Sequence, residues 1–441
     1  MMFRRSVSGQ NDEGWLGWAH RNHHSLEDAQ TLDALVDRYG DARVVMLGEA
    51  THGTSEFYEW RHRISQRLIE DKGFSFICVE GDWPDCYAIN RYVKNFQSAG
   101  ASAHNVLYDF KRWPTWMWAN HEILGLVDWL RARNDDFPAD QRTGFYGLDV
   151  YSLWDSLEAV HHYLEHHAPQ STGAAQRAFE CFEPYGQDIQ AYARATALVP
   201  TTCEQEVVEL LSEVRRSRDV AQDGNESHFD AEQNALTARN AEHYYRTMVR
   251  GGAQSWNIRD HHMMETLERL LAFHGPGAKA IVWAHNTHVG DARATDMARS
   301  SMVNIGQLAR ERFAPEEVAL VGFGTDRGTV IAGDEWGAPM RRMTLPKAQP
   351  GSFEDEFGSL PPALFFVEEA REKAELLAPR GHRAVGVVYR PQWESRHQYV
   401  PTVLPLRYDA FLNIPVTAAL SPLHLPPHRD HELPETYPFG E

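Results

Sequence analysis

An apolar run ends in an acid and a histidine in Val44-Val45-Met46-Leu47-Gly48-Glu49-Ala50-Thr51-His52-Gly53, and this pattern is the main guide to the fold. Three more apolar runs end in the same way: Phe76–Val79 precedes Glu80 and Asp82, Phe145–Leu148 precedes Asp149, and Ala280–Ala284 precedes His285 and His288. Short apolar runs separated by helical stretches predict buried parallel strands. Ligands of open α/β sheets bind at the carboxyl ends of the strands. We therefore expect these acids and histidines to converge on one cleft.

The composition is that of an acidic globular protein. The 441 residues suffice for one large core with an elaboration. The formal net charge of -19 repels phosphate backbones and anionic bilayers, so we predict no nucleic-acid partner and no membrane partner. No stretch is apolar enough for a membrane span or a secretory signal. Cys78, Cys86, Cys181 and Cys203 form no CxxC pair, and we predict free thiols and a cytoplasmic location.

Hydrophobic periodicity divides the chain into helices and strands. In the first third we predict helices over 15–40, from Thr54 or Ser55 to Gly73, from Trp83 onward and over 118–133, strands over 44–48, 75–80 and 144–149, and an irregular segment over 98–116. Further on we predict helices over 152–166, 174–195, 203–221, 228–250 and 258–274, a turn at Asp223-Gly224-Asn225, and strands over 280–285, 317–323, 328–332 and 383–389. The last residues, 421–441, are rich in Pro and His and are expected to wrap the surface.

This order of elements predicts an α/β fold with a mainly parallel central sheet flanked by helices. A large helical insertion is expected to roof the carboxyl edge of the strands. We divide the chain into a first part of the α/β core over 1–151, the helical insertion over 152–275, and the second part of the core with the C-terminal tail over 276–441.

Several common catalytic motifs are absent. Gly53–Phe57 departs from the G-x-S-x-G nucleophile elbow at its last position, so a serine hydrolase is not indicated. Gly322–Gly328 has the spacing G-x-G-x-x-x-G and precedes a second predicted strand, which argues against a dinucleotide site. Glu49–His52 lacks the first histidine of the helical zinc signature HExxH, and no Walker A motif occurs. We predict no cofactor and no bound metal.

The loop after the first run carries the central pair of the predicted site. Its glycines, Gly48 and Gly53, allow a tight turn close to a ligand. His52 has a free pKa of about 6.5, and Glu49 can orient its imidazole and stabilise the charged form. The pair can therefore take a proton from water. The alternative is a structural role, in which His52 ties down the loop and Glu49 binds an arginine. Convergence of the other strand ends favours catalysis.

Further polar residues extend this site, each with a structural alternative. Arg61 either holds a substrate carbonyl or oxyanion or forms a surface ion pair. Of His285 and His288, the latter lies past the strand and is the better catalytic candidate, the alternative being a structural histidine bound to the backbone. Glu80 either supports a catalytic histidine or caps the next helix together with Asp82.

Aromatic residues and one more arginine complete the predicted site. Trp113, Trp116 and Trp118 either wall a bulky apolar substrate or pack in the core. Arg259 can reach the cleft from the helical insertion, whereas Asp260 next to it is an ordinary helix-capping residue. We assign to catalysis His52, Glu49, His288 and Arg61, and to substrate binding Glu80, Asp82, Trp83, His285, Arg259 and Trp116.

Together these motifs resemble the erythromycin esterase family. The resemblance is carried by Gly48–Phe57, Val79–Pro84, Trp256–Asp260, Trp283–Gly290 and Val387–Pro391, and it spans roughly residues 40 to 420. Members known for macrolide resistance hydrolyse the lactone ester of large-ring macrolides. The resemblance implies a mainly parallel α/β sheet below a helical half, and metal-independent hydrolysis with a histidine as general base. It implies that His52 activates water beside Glu49, that His288 and Arg61 complete the site, and that Arg259 belongs to its edge.

Three hypotheses follow for the function. The first is an esterase or lactonase that acts on a small-molecule ester, macrolide-like or otherwise, through water activated by His52 and without a covalent intermediate. The second is a metal-dependent hydrolase that holds zinc or manganese with His52, His285, His288, Glu49, Glu80 and Asp82. The third is a binding protein that clasps a hydrophobic small molecule without turnover.

Overall fold

The computed structural model describes residues 14–96, 99–186, 188–198, 202–217 and 224–423. The helices are α1 Trp15–Asn22, α2 Ala29–Tyr39, α3 Ser55–Lys72, α4 Trp83–Val93, α5 Ala103–Tyr108, α6 His121–Asp135, α7 Leu153–His167, α8 Thr172–Phe182, α9 Ile189–Leu198, α10 Glu204–Arg216, α11 Gly224–Met248, α12 Ala253–His274, α13 Asn286–Val289, α14 Ile305–Arg312, α15 Phe353–Phe357, α16 Glu394–His397 and α17 Leu404–Arg407. The strands are β1 His23–Ser25, β2 Val44–Leu47, β3 Phe76–Asp82, β4 Gly144–Asp149, β5 Ala280–Trp283, β6 Val318–Gly324, β7 Arg327–Ala332, β8 Arg341–Leu345, β9 Ala363–Phe365, β10 Arg380–Arg383, β11 Tyr399–Thr402, β12 Ala410–Asn413 and β13 Val416–Thr417.

An eight-stranded sheet with the order β1-β9-β12-β6-β2-β5-β3-β4 forms the centre of the molecule. The strands from β12 to β4 in this order pair in parallel, and β9 is antiparallel to both of its neighbours. Leu47 lies beside Trp283, and Trp283 lies beside Val79. The chain therefore leaves β2, β5 and β3 at the same level of one sheet edge, where their following residues meet.

Both faces of the parallel part of this sheet are covered, which explains why a strand such as β2 is apolar at every position. In β2, Val45 and Leu47 pack into one hydrophobic core, and Val44 and Met46 pack into another on the opposite face. The alternation of side chains along a strand sends successive residues to opposite faces. A continuous apolar run is therefore the expected pattern for a strand that is buried on both sides.

The helix after the first loop follows the prediction closely. It runs from Ser55 to Lys72, and Gly73 ends it with a φ of 70° in the left-handed region. The single helix predicted over 15–40 is wrong, because β1 pairs with the edge strand β9 and separates α1 from α2. The segment over 98–116 contains the short helix α5. The strand predicted over 383–389 is also wrong, since β10 ends at Arg383.

Helices α7 to α12 lie between β4 and β5. Helices α7 to α11 share a hydrophobic core of their own, whereas the buried apolar residues of α12 pack against the central sheet. Cys181 and Cys203 form a disulfide there, so the prediction of four free thiols is wrong for this pair. Packing of α8 against α10 brings the two cysteines together across 22 residues, a pairing that no local spacing indicates. Cys78 and Cys86 are free and buried.

Three other predictions fall partly on residues outside the described ranges. The predicted turn at 223–225 begins outside them, and its last two residues start α11. The helix predicted over 203–221 is observed as α10 up to Arg216, and of the tail over 421–441 only the first three residues are described. Among the helices described, none is long and apolar enough to cross a membrane.

Candidate active site

The loop after β2 is held in place by close backbone approaches that require its glycines. A Cβ on Gly48 would lie 2.1 Å from the Asn286 side-chain oxygen, and a Cβ on Gly53 would lie 1.9 Å from the carbonyl oxygen of Ile331. The carbonyl of Gly53 accepts a hydrogen bond from the Ile331 N–H at 3.0 Å. The loop is thereby fixed against two neighbouring segments, and its central side chains have defined positions.

A chain of three buried groups leads to the cavity. His52 Nδ1 lies 2.9 Å from Glu49 Oε1, and Glu49 Oε2 accepts a hydrogen bond from Arg61 Nη2 at 2.8 Å. A carboxylate can only accept, so the proton of the imidazole is on Nδ1 and the lone pair of the neutral ring is on Nε2. His52 lines the cavity at the sheet edge. Its Nε2 lies 3.9 Å from Glu80 Oε1.

Arg61 lies behind this pair and not in the cavity. Its guanidinium is fully buried between the rings of Tyr58 and Trp283, at 4.2 and 4.7 Å from their centroids. From that position it contacts Glu49 but does not line the cavity. The alternative of a surface ion pair is therefore wrong, and the predicted contact with a substrate oxyanion is not formed in this arrangement.

Arg259 of α12 ties the helical segment to the carboxyl edge of the sheet. Its Nε and Nη2 donate to the two carboxylate oxygens of Asp149 at 2.9 and 2.7 Å. Nη2 also donates to Glu80 Oε1 at 2.6 Å. Such a bidentate, charge-assisted pair fixes direction as well as distance. Glu80, Asp149 and Arg259 all line the cavity next to His52.

His288 completes this network from the back. Its Nδ1 lies 2.9 Å from Asp260 Oδ1, and its Nε2 lies 2.9 Å from Arg259 Nη1. Arginine can only donate, so His288 accepts through Nε2 and donates through Nδ1. The ring stacks on Trp256 at 4.5 Å and does not line the cavity. Both nitrogens of His288 are occupied, which suits a residue that positions Arg259.

The contacts of His285 fit the structural alternative. Its backbone N–H donates to Glu80 Oε2 at 2.8 Å, and its Nδ1 lies 2.8 Å from Thr287 Oγ1. The ring centroid lies 4.8 Å from that of His52, yet the ring does not line the cavity. The role of Glu80 as a cap of the following helix is not formed, because its two oxygens bind Arg259 and His285.

The charges around these groups set their protonation. Burial lowers the pKa of His52, but the negative charges of Glu80 and Glu49 more than offset this effect, so the pKa lies above its usual value. Burial raises the pKa of Glu80, but neighbouring positive charge, including the guanidinium of Arg259 that donates to it, brings the pKa well below its usual range. Burial keeps the pKa of His285 far below its usual value. Within this group His52 is thus the imidazole that faces the cavity with a raised pKa.

The cavity is narrow and combines acids with aromatic walls. It has a volume of about 60 Å³ for water-sized molecules, far below the roughly 300–1,000 Å³ of sites that enclose drug-sized ligands. It is lined by His52, Glu80, Gly81, Asp82, Asp85, Phe110, Arg112, Pro114, Met117, Trp118, Asp149, Tyr151, Arg259, Trp336 and Val387. Arg112 Nη1 donates to Asp82 Oδ2 at 3.2 Å, and its guanidinium lies 4.7 Å from the centre of the Tyr151 ring.

Two charged cavity residues were not assigned from the sequence. Burial, with the negative charges of Asp82 and Asp155, raises the pKa of Asp85 to about 7. Asp85 lies three residues after Asp82, so both carboxyls lie at the start of α4. This spacing could have indicated a second acid near the cleft. Arg112 follows α5 in a segment without regular structure, and no local pattern distinguishes it from a surface arginine.

Both tryptophans assigned to substrate binding, Trp83 and Trp116, lie outside the cavity. Trp83 stacks on Tyr87 and Tyr146, and its Nε1 donates to Asp230 at 2.8 Å. Trp116 is fully buried in the hydrophobic core. Both rings pack in hydrophobic cores and do not line the cavity, and for Trp116 this is the packing alternative.

The residues at the strand ends do not suit a divalent cation. The positive guanidinium of Arg259 lies between Glu80, Asp149 and His288, at 2.6 to 2.9 Å from their polar atoms. A metal ion in the same place would meet a fixed positive charge. In the described part of the chain, the group of side chains with metal-ligand spacing lies elsewhere, on α7.

The fold and the site define an α/β protein with a buried histidine–carboxylate pair at the carboxyl edge of its sheet. The family model for erythromycin esterase matches residues 69–417, most of the chain, and the protein belongs to the erythromycin esterase family. The matched range begins after the loop that holds Glu49 and His52.

Individual relatives are distant. Erythromycin esterase type II of Escherichia coli is 29% identical over 129 residues, and this alignment covers 28% of each chain. A Bacillus cereus protein of known structure has a TM-score of 0.76 at 19% identity, over 94% of this chain and 100% of the other. A succinoglycan biosynthesis protein has a TM-score of 0.73 at 20% identity, over 93% and 98%. A histidine-to-asparagine mutant of an erythromycin esterase in its open conformation has a TM-score of 0.64 at 16% identity, over 90% and 96%. These structures share the fold.

Proposed function

We propose that the protein hydrolyses a carboxylic ester or lactone with water that is activated by His52. The observation that carries this proposal is the geometry of one ring: Nδ1 of His52 is bound to Glu49, and the residue lines the cavity. A general base needs a nitrogen that is free to take a proton and a second one that fixes its tautomer. Membership of the erythromycin esterase family supports the reaction class.

The proposed reaction needs no covalent intermediate. A proton of water moves to His52 Nε2 while the water oxygen forms a bond to the ester carbonyl carbon, and the carbonyl electron pair moves onto its oxygen. When the bond between that carbon and the alcohol oxygen breaks, the leaving alkoxide takes the proton back from His52. The products are a carboxylic acid and an alcohol, or one hydroxy acid from a lactone.

We assign the stabilisation of the oxyanion to Arg112. Of the two guanidinium groups that line the cavity, Arg259 directs its nitrogens to Asp149, Glu80 and His288. The side chain of Arg112 is 28% exposed and binds Asp82 at its edge, so it can turn toward a substrate. One well-placed donor to an oxyanion contributes about 3 to 4 kcal/mol. Replacement by Gln is expected to lower kcat by about 10²-fold to 10³-fold.

The other site residues that the family resemblance implies have positioning roles in this proposal. Arg61 holds Glu49, and His288 holds Arg259, each from outside the cavity. Arg259 in turn keeps Glu80 and Asp149 charged and fixed. The site thus has a proton acceptor and a partly exposed cation at the cavity wall, with the rigid ionic frame of Arg259, Glu80 and Asp149 behind them.

The cavity walls favour an apolar substrate. Phe110, Met117, Trp118 and Trp336 line it with aromatic and aliphatic surface. The present volume of about 60 Å³ accepts only the ester group and its nearest atoms. A large substrate such as a macrolide therefore requires the cavity to widen. We propose that the helical segment 152–275 covers the carboxyl edge, where its residue Arg259 lines the cavity.

A substrate panel tests the proposal. Purified protein is incubated with macrolides of different ring size and with simple aromatic and aliphatic esters, and products are followed by mass spectrometry. Wild type is expected to hydrolyse at least one class, and His52→Gln is expected to lose turnover while its circular dichroism is unchanged. Activity that survives in His52→Gln removes this residue from the mechanism.

The same panel separates the competing functions. A binding protein returns its ligand unchanged after long incubation. A metal-dependent hydrolase loses activity on dialysis against a chelator and recovers it with zinc or manganese. We expect neither result, because the ionic frame around Arg259 leaves no cation position among the strand-end residues described above.

A further inference from the structure

A second cluster of ligand-type side chains lies on α7, apart from the candidate active site. His162, Glu165 and His166 are exposed on one face of this helix, at positions i, i+3 and i+4. One potential metal-binding atom of each residue lies within 4.8 Å of those of the other two. None of the three lines the active-site cavity.

The two imidazoles are one helical turn apart, and one of them is already oriented. The ring centroids of His162 and His166 lie 4.4 Å from each other. The Nδ1 of His166 lies 2.8 Å from the carbonyl oxygen of His162, which can only accept. Nδ1 therefore carries the proton, and the lone pair is on Nε2. A backbone carbonyl that fixes the tautomer in this way is the usual support of a metal-binding histidine.

The surroundings offer space for an ion and its water ligands. A cavity of about 340 Å³ next to the cluster is lined by His162, His166, His167 and Asp230, together with eight other residues of α4, α7 and α11. Arg91 is the cation among the residues that line this cavity. His161 Nδ1 lies 3.8 Å from Glu165 Oε1 on the other side of the cluster.

We propose that His162, Glu165 and His166 bind one divalent transition-metal ion, with water completing the coordination. Imidazole nitrogens at about 2.0–2.1 Å and a carboxylate oxygen at about 2.0–2.2 Å are the ligands that zinc accepts in proteins. Ligand atoms of one tetrahedral zinc ion lie roughly 3.3–3.5 Å apart, which follows from these bond lengths. The exposed side chains close the remaining distance by rotation about their χ angles.

The stretch His162-Tyr163-Leu164-Glu165-His166 has the spacing H-x-x-E-H. In zinc hydrolases of that signature the glutamate is a general base and a further protein ligand comes from elsewhere in the chain. Within the described ranges, the group of side chains close enough together to hold a metal ion consists of these three residues alone. We therefore assign metal binding to this site, and no hydrolysis.

Zinc binding to the full-length protein tests the proposal. The protein is dialysed against a chelator, and zinc is titrated in competition with a chromogenic chelator at neutral pH. Wild type is expected to bind one equivalent in the micromolar range, and the double variant H162A/H166A is expected to bind this equivalent at least tenfold more weakly. The matched control H104A/H397A removes two exposed histidines elsewhere and is expected to bind zinc like wild type.

Further variants locate the ion. Glu165→Gln is expected to weaken binding, and unchanged affinity would remove Glu165 from the ligand set. His52→Gln is expected to keep the equivalent; if this variant loses it, zinc binds in the active-site cavity and the proposal fails. Wild-type binding that is weaker than about 0.1 mM also overturns it. Ester hydrolysis by H162A/H166A is expected to equal that of wild type, so failure of this site and failure of the esterase proposal are distinguishable.

Discussion

Replacement of Glu49 by glutamine tests the central pair of the site through one proton. Glu49 accepts hydrogen bonds from Arg61 Nη2 at 2.8 Å and from His52 Nδ1 at 2.9 Å. The amide of Glu49→Gln has one acceptor, its oxygen, and one donor, its NH₂ group. Because Arg61 can only donate, the amide oxygen faces Arg61 and the NH₂ group faces His52. Nδ1 must then accept, and the proton of the neutral imidazole moves to Nε2.

This variant holds the base in the wrong tautomer at an otherwise unchanged site. Nε2 carries a proton on the cavity side and can no longer take one from water. Holding a catalytic histidine in this way costs about 10⁴-fold in kcat in the serine-protease triad, which corresponds to about 5.5 kcal/mol. We expect a loss of kcat of that order for Glu49→Gln, with little change in KM, since Glu49 does not line the cavity.

The assay is kcat for the best substrate of the panel between pH 5.5 and 9. The matched control is Glu354→Gln, which changes another fully buried glutamate that contacts a histidine, His382. Neither Glu354 nor His382 lines the cavity, so this control is expected to lose stability but to keep its kcat. Urea unfolding of both variants separates the two effects.

One result would refute the tautomer argument. If Glu49 acted only through its charge, Glu49→Gln would lower the pKa of His52 and shift the acidic limb of the rate profile to lower pH, with the plateau intact. A wild-type plateau rate in the variant therefore contradicts the reasoning, as does a loss of kcat in Glu354→Gln of the same size.

Three further outcomes are expected. The rate should fall as the pH drops through the raised pKa of His52, which lies above its usual value of about 6.5. Glu80→Gln removes a negative charge that raises this pKa, so the acidic limb of the kcat/KM profile should move to lower pH. Arg259→Met leaves two buried carboxylates unpaired and should cost about 3–5 kcal/mol in urea unfolding at pH 7, a deficit that shrinks as falling pH protonates them. Cys203→Ser opens the bond to Cys181, which closes a loop of 22 residues, and should cost about 3 kcal/mol; a reductant should then no longer change the unfolding midpoint.

The sequence was a good guide to the sheet and to the loop that it positions. Strands such as β2 are buried on both faces, so their apolar runs are continuous and easy to find. Residues at the carboxyl ends of parallel strands meet at one edge, where His52, Glu80 and Asp149 line one cavity and Glu49 binds His52. Signals of this kind are local in sequence, because they depend on neighbouring residues and on the period of the strand.

Other features depend on contacts between distant segments. The disulfide between Cys181 and Cys203 requires α8 to pack on α10, and the break between α1 and α2 requires β9 as a partner for β1. The cavity position of Arg112 depends on how its segment crosses Asp82. Such contacts leave no periodicity or spacing in the local sequence from which they could be predicted.

The pattern of apolar runs was enough to identify the polar side chains at the ends of the buried strands, since these runs stop at the edge of the sheet. Which of these side chains face the cavity depends on the packing of distant segments. His52 does, while Arg61 directs its guanidinium to Glu49, and His288 accepts a hydrogen bond from Arg259. The physical reason is that a buried charge must lie against its counter-charge, and the partner is fixed by the packing of α3 and α12 against the sheet.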